Sequence, residues 1–511
     1  LNTVYEYKNA RTHLGKMGFL GFNNVVTTKP EEKMMREDSY MLDPNFGMLN
    51  VLSITKTMDG QRIHMEKNIY DTQLSPSGTI MLHNMANTNH SYSPENSSNY
   101  LTVNTGRTYD KWGNVLTERV TTNDSYRQVT TNIYDLKETR FWIHRPLERE
   151  VEKTVVLGDS HVEKEVYEYN NGLSELLAPT QISSYLDRNE MRREQFAYDT
   201  FGNCCSKIVG GINSSNKVET MQRVYSMDGR LCEEEYLPMD YTKSYSYDEV
   251  GNLVKVTASD GLVDSMKYDD FGNVVSVEKL GVTTIQGIVW SNGMALNPKY
   301  GVYCKYNKKG TDAYNFEFYD SSGNLLRKCY NLMERTVAID YDYDNLGRVV
   351  AESLPYYIDS DDKRLTQYAY DDFGNVITII QPNGYRQTKE YDYSIDGVAA
   401  TTISDNGQTT QMNDHFNRLL WSENELGQRV VYDYDALGTS ADVNGLKTSF
   451  DYFERYGYQY KEIDNPDFGS INYEYNELNN LTKRSNSIQN SSFEYNKAGN
   501  LTSKNNSSMA G

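Results

Sequence analysis

The stretch that decides the fold reads Lys243-Ser-Tyr-Ser-Tyr-Asp-Glu-Val-Gly-Asn-Leu-Val-Lys-Val-Thr257. Tyrosines alternate with serines before its centre and valines alternate after it, which places each set on one face of a β-strand. Asp248 stands where a type I turn favours an acceptor side chain. Gly251 stands where a left-handed backbone closes a hairpin with a bulge. The stretch therefore predicts a β-hairpin.

The same Tyr-Asp-x-x-Gly-Asn motif recurs along the chain at intervals of roughly 20 to 50 residues, which indicates a repeat architecture. Because a lone hairpin is marginally stable, successive hairpins must pair into a continuous sheet. The fold class predicted is all-β: a long strip of hairpins wound into a spiral, hollow shell. The structural turn residues of the repeats are predicted to be Asp110, Gly113, Asp199, Gly202, Asp248, Gly251, Asp269, Gly272, Asp320, Gly323, Asp344, Gly347, Asp371, Gly374, Asp435, Gly438 and Gly499.

Two degenerate copies of the motif test the role of its glycine. In the turns that begin at Asp414 and Asn476, the glycine position holds Asn417 and Asn479. Asparagine is among the few other residues that readily visit the left-handed region. The exchange predicts that the glycine serves backbone geometry and has no chemical role.

Composition narrows the possible functions. The chain has 511 residues, a formal net charge of −20, and 43 tyrosines against 15 phenylalanines. A tyrosine ring can pack while its hydroxyl reaches a polar partner, so the excess predicts half-buried surfaces. Nucleic-acid binding requires clustered lysines and arginines, so no nucleic-acid partner is expected. No apolar stretch approaches the ~20 residues of a membrane span, and we expect no direct membrane insertion.

The pattern divides the chain into four regions. Residues 1–99 precede the regular repeats, residues 100–190 carry irregular ones, residues 191–505 form the main array, and residues 506–511 are expected to fray. Within the first region, residues 31–37 are good helix formers and predict a short helix. Residues 87–100 are rich in Asn and Ser and predict an exposed loop.

The repeats resemble the YD/RHS repeats of bacterial RHS proteins, Tc toxin B and C components, and teneurins. The resemblance covers roughly 400 residues, at the repeat period expected of such arrays. Tyr5-Glu-Tyr-Lys-Asn-Ala-Arg11, followed by Gly15-Lys-Met-Gly-Phe-Leu-Gly-Phe22, also resembles a segment of Tc toxin B (SpvB/TcdB-like) components that leads into the shell-forming region.

This resemblance implies a β-sheet strip wound into a hollow cocoon around a toxic polypeptide. The implied partners are other parts of the same toxin chain or a C-type partner chain, and the encapsulated toxin polypeptide. The implied location is secreted, extracellular or at the bacterial cell surface. The family's autoprotease core segment does not follow the last repeat, so no protease residues are assigned. Because the chain begins with Leu1, we expect it to be an internal piece of a longer protein.

Known catalytic and metal motifs are absent from the sequence. It contains no phosphate-binding Walker loop, no His-Glu-x-x-His and no Gly-x-Ser-x-Gly. The seven histidines are scattered, and the five cysteines form no Cys-x-x-Cys pair. The acidic run at residues 359–362 lacks the turn glycine and distal glutamate of a calcium loop. In Asp269-Asp270 the first residue is the repeat's own turn aspartate. We therefore expect no enzyme activity, no cofactor and no metal.

Two other functions remain open at this stage. An extracellular YD-repeat module could bind carbohydrate or cell-surface partners through exposed tyrosines. A hydrolase with an unrecognised site is the third possibility, and the empty motif search disfavours it. The Gly-Phe-Leu-Gly-Phe segment favours the structural shell of a toxin complex over the binding module.

Overall fold

The fold is a single strip of antiparallel hairpins. The computed structural model describes residues 3–508 except 14–17, 31–32, 93–98, 123–125, 138–141, 155–159, 170–177, 187, 211–217, 238–239, 311–312, 361, 372–373, 395, 415–416, 435–438, 444, 454–458, 468, 477–479 and 497–499. Within these residues all the regular structure is β, in 41 strands, and no α-helix is present. The predicted all-β class is confirmed.

The first strands are long, and they shorten along the chain. They are β1 Val4–His13, β2 Gly18–Lys29, β3 Met34–Asp43, β4 Gly47–Thr57, β5 Arg62–Leu74, β6 Ile80–Tyr92, β7 Asn99–Tyr109, β8 Val115–Thr122, β9 Arg127–Lys137, β10 Trp142–Thr154, β11 Ser160–Glu168, β12 Gln181–Leu186, β13 Asn189–Tyr198 and β14 Cys204–Gly210.

The regular repeats supply shorter strands. They are β15 Val218–Tyr225, β16 Cys232–Leu237, β17 Tyr241–Tyr247, β18 Leu253–Ala258, β19 Val263–Tyr268, β20 Val274–Lys279, β21 Val282–Trp290, β22 Tyr303–Lys309, β23 Ala313–Tyr319, β24 Leu325–Leu332, β25 Arg335–Tyr343, β26 Val349–Ser353, β27 Tyr356–Tyr357 and β28 Leu365–Tyr370.

The last third continues in the same way. It comprises β29 Val376–Ile380, β30 Arg386–Tyr393, β31 Val398–Ser404, β32 Gly407–Asn413, β33 Leu419–Glu423, β34 Arg429–Tyr434, β35 Thr439–Val443, β36 Leu446–Phe453, β37 Gln459–Asn465, β38 Gly469–Tyr475, β39 Leu481–Ser485, β40 Gln489–Tyr495 and β41 Leu501–Ser508.

Nearly every strand pairs with the strands before and after it in the chain. The exception lies at β25, whose first half pairs with β27 and whose second half pairs with β26. The strip then continues from β26 to β28. β25 is therefore a branch point at which the sheet divides.

The most deeply buried apolar cluster lies beside this branch point. Cys304, Phe318, Cys329 and Ala338 are fully buried on one face of β22–β25. Side chains from the connection between β21 and β22, and from the segment after β26, pack over them: Met294, Leu296, Tyr356 and Ile358. A single sheet has no second layer, so these connections supply the missing cover.

Three local predictions for the N- and C-terminal regions were wrong where the structure describes them. Residues 34–37 belong to β3, because pairing with β2 and β4 overrides helix propensity; residues 31–32 lie outside the described residues. Residues 87–92 and 99–100 lie in β6 and β7. The polar side chains are satisfied within the sheet, as where Asn87 donates to Asn68 at 2.8 Å. Of the expected frayed tail, residues 506–508 are paired with β40, and residues 509–511 lie outside the described residues.

Candidate functional site

All the described repeat turns lie on one edge of the strip. Because consecutive strands are antiparallel neighbours, the connections alternate between the two edges. Every Tyr-Asp turn follows an odd-numbered strand up to β25. Because β26 pairs with β28 and β27 is skipped, the later Tyr-Asp turns follow even-numbered strands but lie on the same edge. We call this the turn edge; it runs from the turn after β7 to the turn after β40.

The turn aspartate accepts hydrogen bonds from both main chain and side chain. Oδ1 of Asp248 accepts from the main-chain N–H of Val250 at 3.1 Å and of Asn252 at 2.8 Å. The Nδ2 of Asn252 donates to Oδ2 of the same carboxylate at 2.9 Å. These bonds lower the pKa of Asp248 despite some opposing desolvation. The backbone closes this turn with two hydrogen bonds of 3.0 and 3.1 Å. The bonds to the carboxylate add to them and stabilise the turn.

The same geometry repeats at the other turns with little variation. The asparagine after the glycine donates to the aspartate at Asp110, Asp199, Asp269, Asp320 and Asp371. In two turns an arginine replaces this asparagine: Arg348 Nε donates to Asp344, and Arg418 Nε donates to Asp414, each at 2.7 Å. A donor at this position is what the turn needs, which explains the final residue of the motif.

The glycines of these turns have left-handed backbones. Positive φ angles occur at the sequence-predicted positions Gly113, Gly202, Gly251, Gly272, Gly323, Gly347 and Gly374. Asn417 has a φ of 62°, which confirms the interpretation of asparagine in the glycine position. The other such asparagine, Asn479, lies outside the described residues, as do the sequence-predicted turn residues Asp435, Gly438 and Gly499.

In most motifs the tyrosine joins neighbouring hairpins at the turn edge, whereas Tyr319 donates to Glu317 of its own strand. Between β18 and β19 the main-chain ladder ends at the pair Lys255–Ser265, short of this edge. The hydroxyl of Tyr268 donates at 2.8 Å to the carbonyl of Leu253, which lies beyond the end of the ladder. We call such a bond a tyrosine staple. It satisfies a carbonyl that would otherwise lack a protein partner.

The staple recurs along the strip. Its distances lie between 2.7 and 3.4 Å in Tyr134–Val115, Tyr198–Pro179, Tyr225–Cys204, Tyr247–Cys232, Tyr343–Leu325, Tyr370–Val349, Tyr391–Val376 and Tyr495–Leu481. Phenylalanine cannot make this bond, so the staple accounts for part of the excess of tyrosine over phenylalanine. Burial raises the pKa of Tyr247 above its usual value, so the hydroxyl remains a neutral donor through the physiological range.

Removing one staple should loosen one junction between hairpins. In Tyr247→Phe the carbonyl of Cys232 loses its donor, and we expect the local free energy of opening to fall by about 1–2 kcal/mol. Hydrogen exchange of the amides in β16 and β17 measures it. Tyr300→Phe is the control, because that ring is 73% exposed. Equal protection in Tyr247→Phe and the unmodified protein would show that the bond contributes nothing.

The turn aspartate should protect the amides of its turn far more than the neighbouring aspartate does. Asp269 accepts from Phe271 and Asn273, whereas Asp270 is the next residue of the same turn. Asp269→Ala is expected to raise amide exchange at Phe271 and Asn273 by on the order of tenfold, because their acceptor is lost. Asp270→Ala should leave these rates near their original values. Similar acceleration in both variants would assign the effect to general charge loss.

A buried ionic cluster holds the branch point. Arg327 donates to Asp340 through Nε at 2.6 Å and Nη2 at 3.0 Å. Tyr356 and Lys363 reach the same carboxylate at 2.7 and 2.9 Å. Burial alone would raise the pKa of Asp340, but the bonds from Arg327, Lys363 and Tyr356 outweigh it and lower the pKa to about 2. Sequence reasoning missed this cluster, because its members are far apart in the chain.

The remaining titratable candidates have structural partners. Asp359 pairs with Arg335 and Asp362 pairs with Arg364, each within 2.8 Å, which is the arrangement of a solvated acidic turn. All five cysteines are free thiols, and burial raises the pKa of Cys304 to about 11 and that of Cys329 to about 12. Such thiols are poor nucleophiles. In the described part of the chain, no three His, Cys, Asp or Glu side chains are grouped to hold a metal ion.

No helix in the described residues is long and apolar enough to cross a membrane.

Comparisons with known proteins agree with the repeat geometry. The family model described as the teneurin YD-shell matches residues 147–358. No curated protein sequence matches the chain. Among solved structures, TcdB2-TccC3 without its hypervariable C-terminal region aligns with a TM-score of 0.68 and 8% identity over 99% of this chain. A second structure of TcdB2-TccC3 aligns with a TM-score of 0.68 and 9% identity, also over 99%.

The TcdB2-TccC3-Cdc42 structure aligns less closely, with a TM-score of 0.52 and 11% identity over 97% of the chain. The chain spans only 39%, 38% and 27% of these three longer chains. At such identities the likeness establishes the fold. The repeat motif, the match of the YD-shell family model to residues 147–358 and the aligned structures agree that this chain is a YD-repeat strip with the fold of TcdB2-TccC3.

Proposed function

We propose that this chain forms part of the wall of a hollow, non-catalytic shell that encloses a toxic polypeptide for delivery. The observation that carries the proposal is the alignment of 99% of the chain with TcdB2-TccC3 at a TM-score of 0.68. This chain corresponds to 39% of the longer chain of that structure. The matches do not favour the alternative of a surface-binding module.

The apolar side chains exposed at the turn edge support an assembly in which this edge is covered. Apolar side chains at four consecutive turns stand 62% to 101% exposed: Phe201, Met227, Val250 and Phe271. Two strands separate neighbouring turns, so these side chains recur about every 10 Å along the edge. A row of exposed apolar groups indicates a contact surface. In a wound strip, the adjacent winding would cover it.

We further propose that the protein is secreted, and that a partner chain or further parts of the same chain complete the shell. The titles of the matched structures pair TcdB2 with TccC3, which supports a partner chain of that kind. The four regions of the sequence are proposed as stretches of one sheet, since the boundary between residues 190 and 191 falls within β13. They differ in repeat regularity and share one architecture.

Protease protection tests the enclosure. The full-length protein is co-expressed with its partner chain and cargo polypeptide, and the purified complex is digested beside the free cargo. Protection of the cargo by the intact shell supports the proposal. Digestion at the rate of the free cargo contradicts it, provided the complex remains associated in gel filtration.

A further inference from the structure

One face of β21–β24 carries three rows of side chains that the shell fold does not require. Cross-strand pairing places Trp290, Tyr303 and Tyr319 in the row nearest the turn edge. The next row along the strands is Ile288, Lys305, Glu317 and Lys328. Residues directly opposite each other on one face lie within contact distance, so each row is continuous.

The third row supplies amides. Gln286, Asn307 and Asn315 are cross-strand neighbours on the same face. With the charged row they line a cleft of about 900 Å³, walled on one side by the turn that contains Asp269 and Gly272. A binding site of this size with several convergent polar groups is typical for a small ligand.

The aromatic row lies beside the cleft. The rings of Tyr303 and Tyr319 stack on each other at 5.0 Å with an angle of 6° between their planes, so Trp290 is the ring of this row that a ligand can contact. The side chain of Trp290 is 79% exposed, so its ring is accessible beside the cleft in this strip. Such rings pack against the C–H faces of sugar rings while the neighbouring polar groups bind hydroxyls.

Two lysines and two carboxylates line the cleft, and Lys305 lies directly opposite Glu317 across the strands. Glu317 accepts from the hydroxyl of Tyr319 at 2.8 Å and pairs with Lys328 at 3.6 Å. Asp269 is occupied by its own turn. Lys305 forms no ion pair among the described residues, and its Nζ lies 4.7 Å from the centre of the Tyr319 ring. In a protein of net charge −20, this local cation favours an anionic ligand.

We propose that this cleft binds an acidic oligosaccharide, with Trp290 stacking on a sugar ring, Lys305 pairing with a carboxylate, and the amide row binding hydroxyls. The site is independent of enclosure: it would let a shell attach to a glycan-coated surface whether or not it holds cargo. Nucleic acid is the other common polyanion, but its binding requires clustered lysines and arginines, and the cleft has only Lys305 and Lys328.

Calorimetry on the full chain tests the site with two probes. One is a tetrasaccharide of alternating glucuronic acid and N-acetylglucosamine, and the other is the neutral N-acetylglucosamine tetramer. We expect the acidic probe to bind about fivefold more tightly, as one solvent-exposed charge pair allows. Trp290→Ala should weaken both probes by about tenfold, and its exposed side chain can be removed without disturbing the fold.

Lys305→Met should abolish the preference for the acidic probe while retaining the neutral one. The matched control is Lys308→Met, which lies on the same strand with its ammonium over the Phe316 ring of the opposite face. It should change neither affinity. Absence of heat with both probes at millimolar concentration, equal binding of the two by the unmodified protein, or equal effects of the two lysine variants would each overturn the proposal.

Discussion

Asp340→Asn is expected to lower the free energy of unfolding around the branch point by about 3–5 kcal/mol, because it leaves the largely buried Arg327 without its counter-charge. Arg327 is bound by both its Nε and Nη2 to this carboxylate, and Lys363 shares it. The side chain of Asp340 is 9% exposed, so water cannot replace the lost charge. Urea unfolding followed by the loss of β-sheet circular dichroism measures the change.

The control for this substitution is Asp359→Asn. Asp359 also pairs with an arginine, but its side chain is 64% exposed. An exposed pair contributes little, so the control should remain close to the unmodified protein. Equal losses in the two variants would mean that the buried cluster has no special role at the branch point.

The carboxylate of Asp340 also makes the free energy of unfolding depend on pH. The folded-state pKa of Asp340 is about 2, below the ordinary value of 3.8, so the ionised carboxylate stabilises the fold. This contribution, about 2 kcal/mol, is complete above the unfolded-state pKa and is lost as the pH falls from about 4 to about 2. The stability gap between the unmodified protein and Asp340→Asn should therefore narrow across that range. A gap that stays constant would contradict the assignment.

Gly397→Ala is expected to destabilise the turn between β30 and β31 by about 3 kcal/mol or more. A Cβ at this position would lie 2.0 Å from the main-chain oxygen of Asn413 and 2.8 Å from the Cα of Asp414. The obstructing atoms are backbone, so the neighbouring turn itself must move. The φ of 150° adds conformational strain for a residue with a side chain.

Gly384→Ala separates the effect of the steric overlap from the effect of the backbone strain. Gly384 has a φ of 84°, and a Cβ there meets nothing within 4 Å. The free energy of unfolding of Gly384→Ala should fall by only about 1 kcal/mol, which is the cost of the backbone strain alone. Thermal unfolding of both variants gives the comparison. Equal losses would show that close approach of the two turns at Gly397 is unimportant.

Much of the architecture could be predicted from the sequence because each repeat carries its own local rule. The alternation around Asp248 and Gly251 fixes a hairpin without reference to the rest of the chain. The left-handed Asn417 follows from the same rule. The excess of tyrosine indicated half-buried rings, but the acceptor of each tyrosine staple lies on another hairpin and became visible only in the structure.

The failures have a common physical origin in long-range pairing. The helix formers of residues 34–37 became a strand because β2 and β4 flank them. The polar residues 87–92 became a strand because hydrogen-bonded amide side chains, such as those of Asn68 and Asn87, are stable within a sheet. The branch at β25 is held by Asp340 and its partners Arg327 and Lys363. These residues are distant from one another in sequence, so no local pattern reveals the cluster.

Electron cryo-microscopy of the full-length protein with its partner chain tests the central claim most directly. The account predicts a hollow particle whose wall contains this strip, with the turn edge against a neighbouring winding and additional polypeptide density inside. A solid particle, or an open strip whose turn edge faces solvent and which encloses nothing, would contradict it.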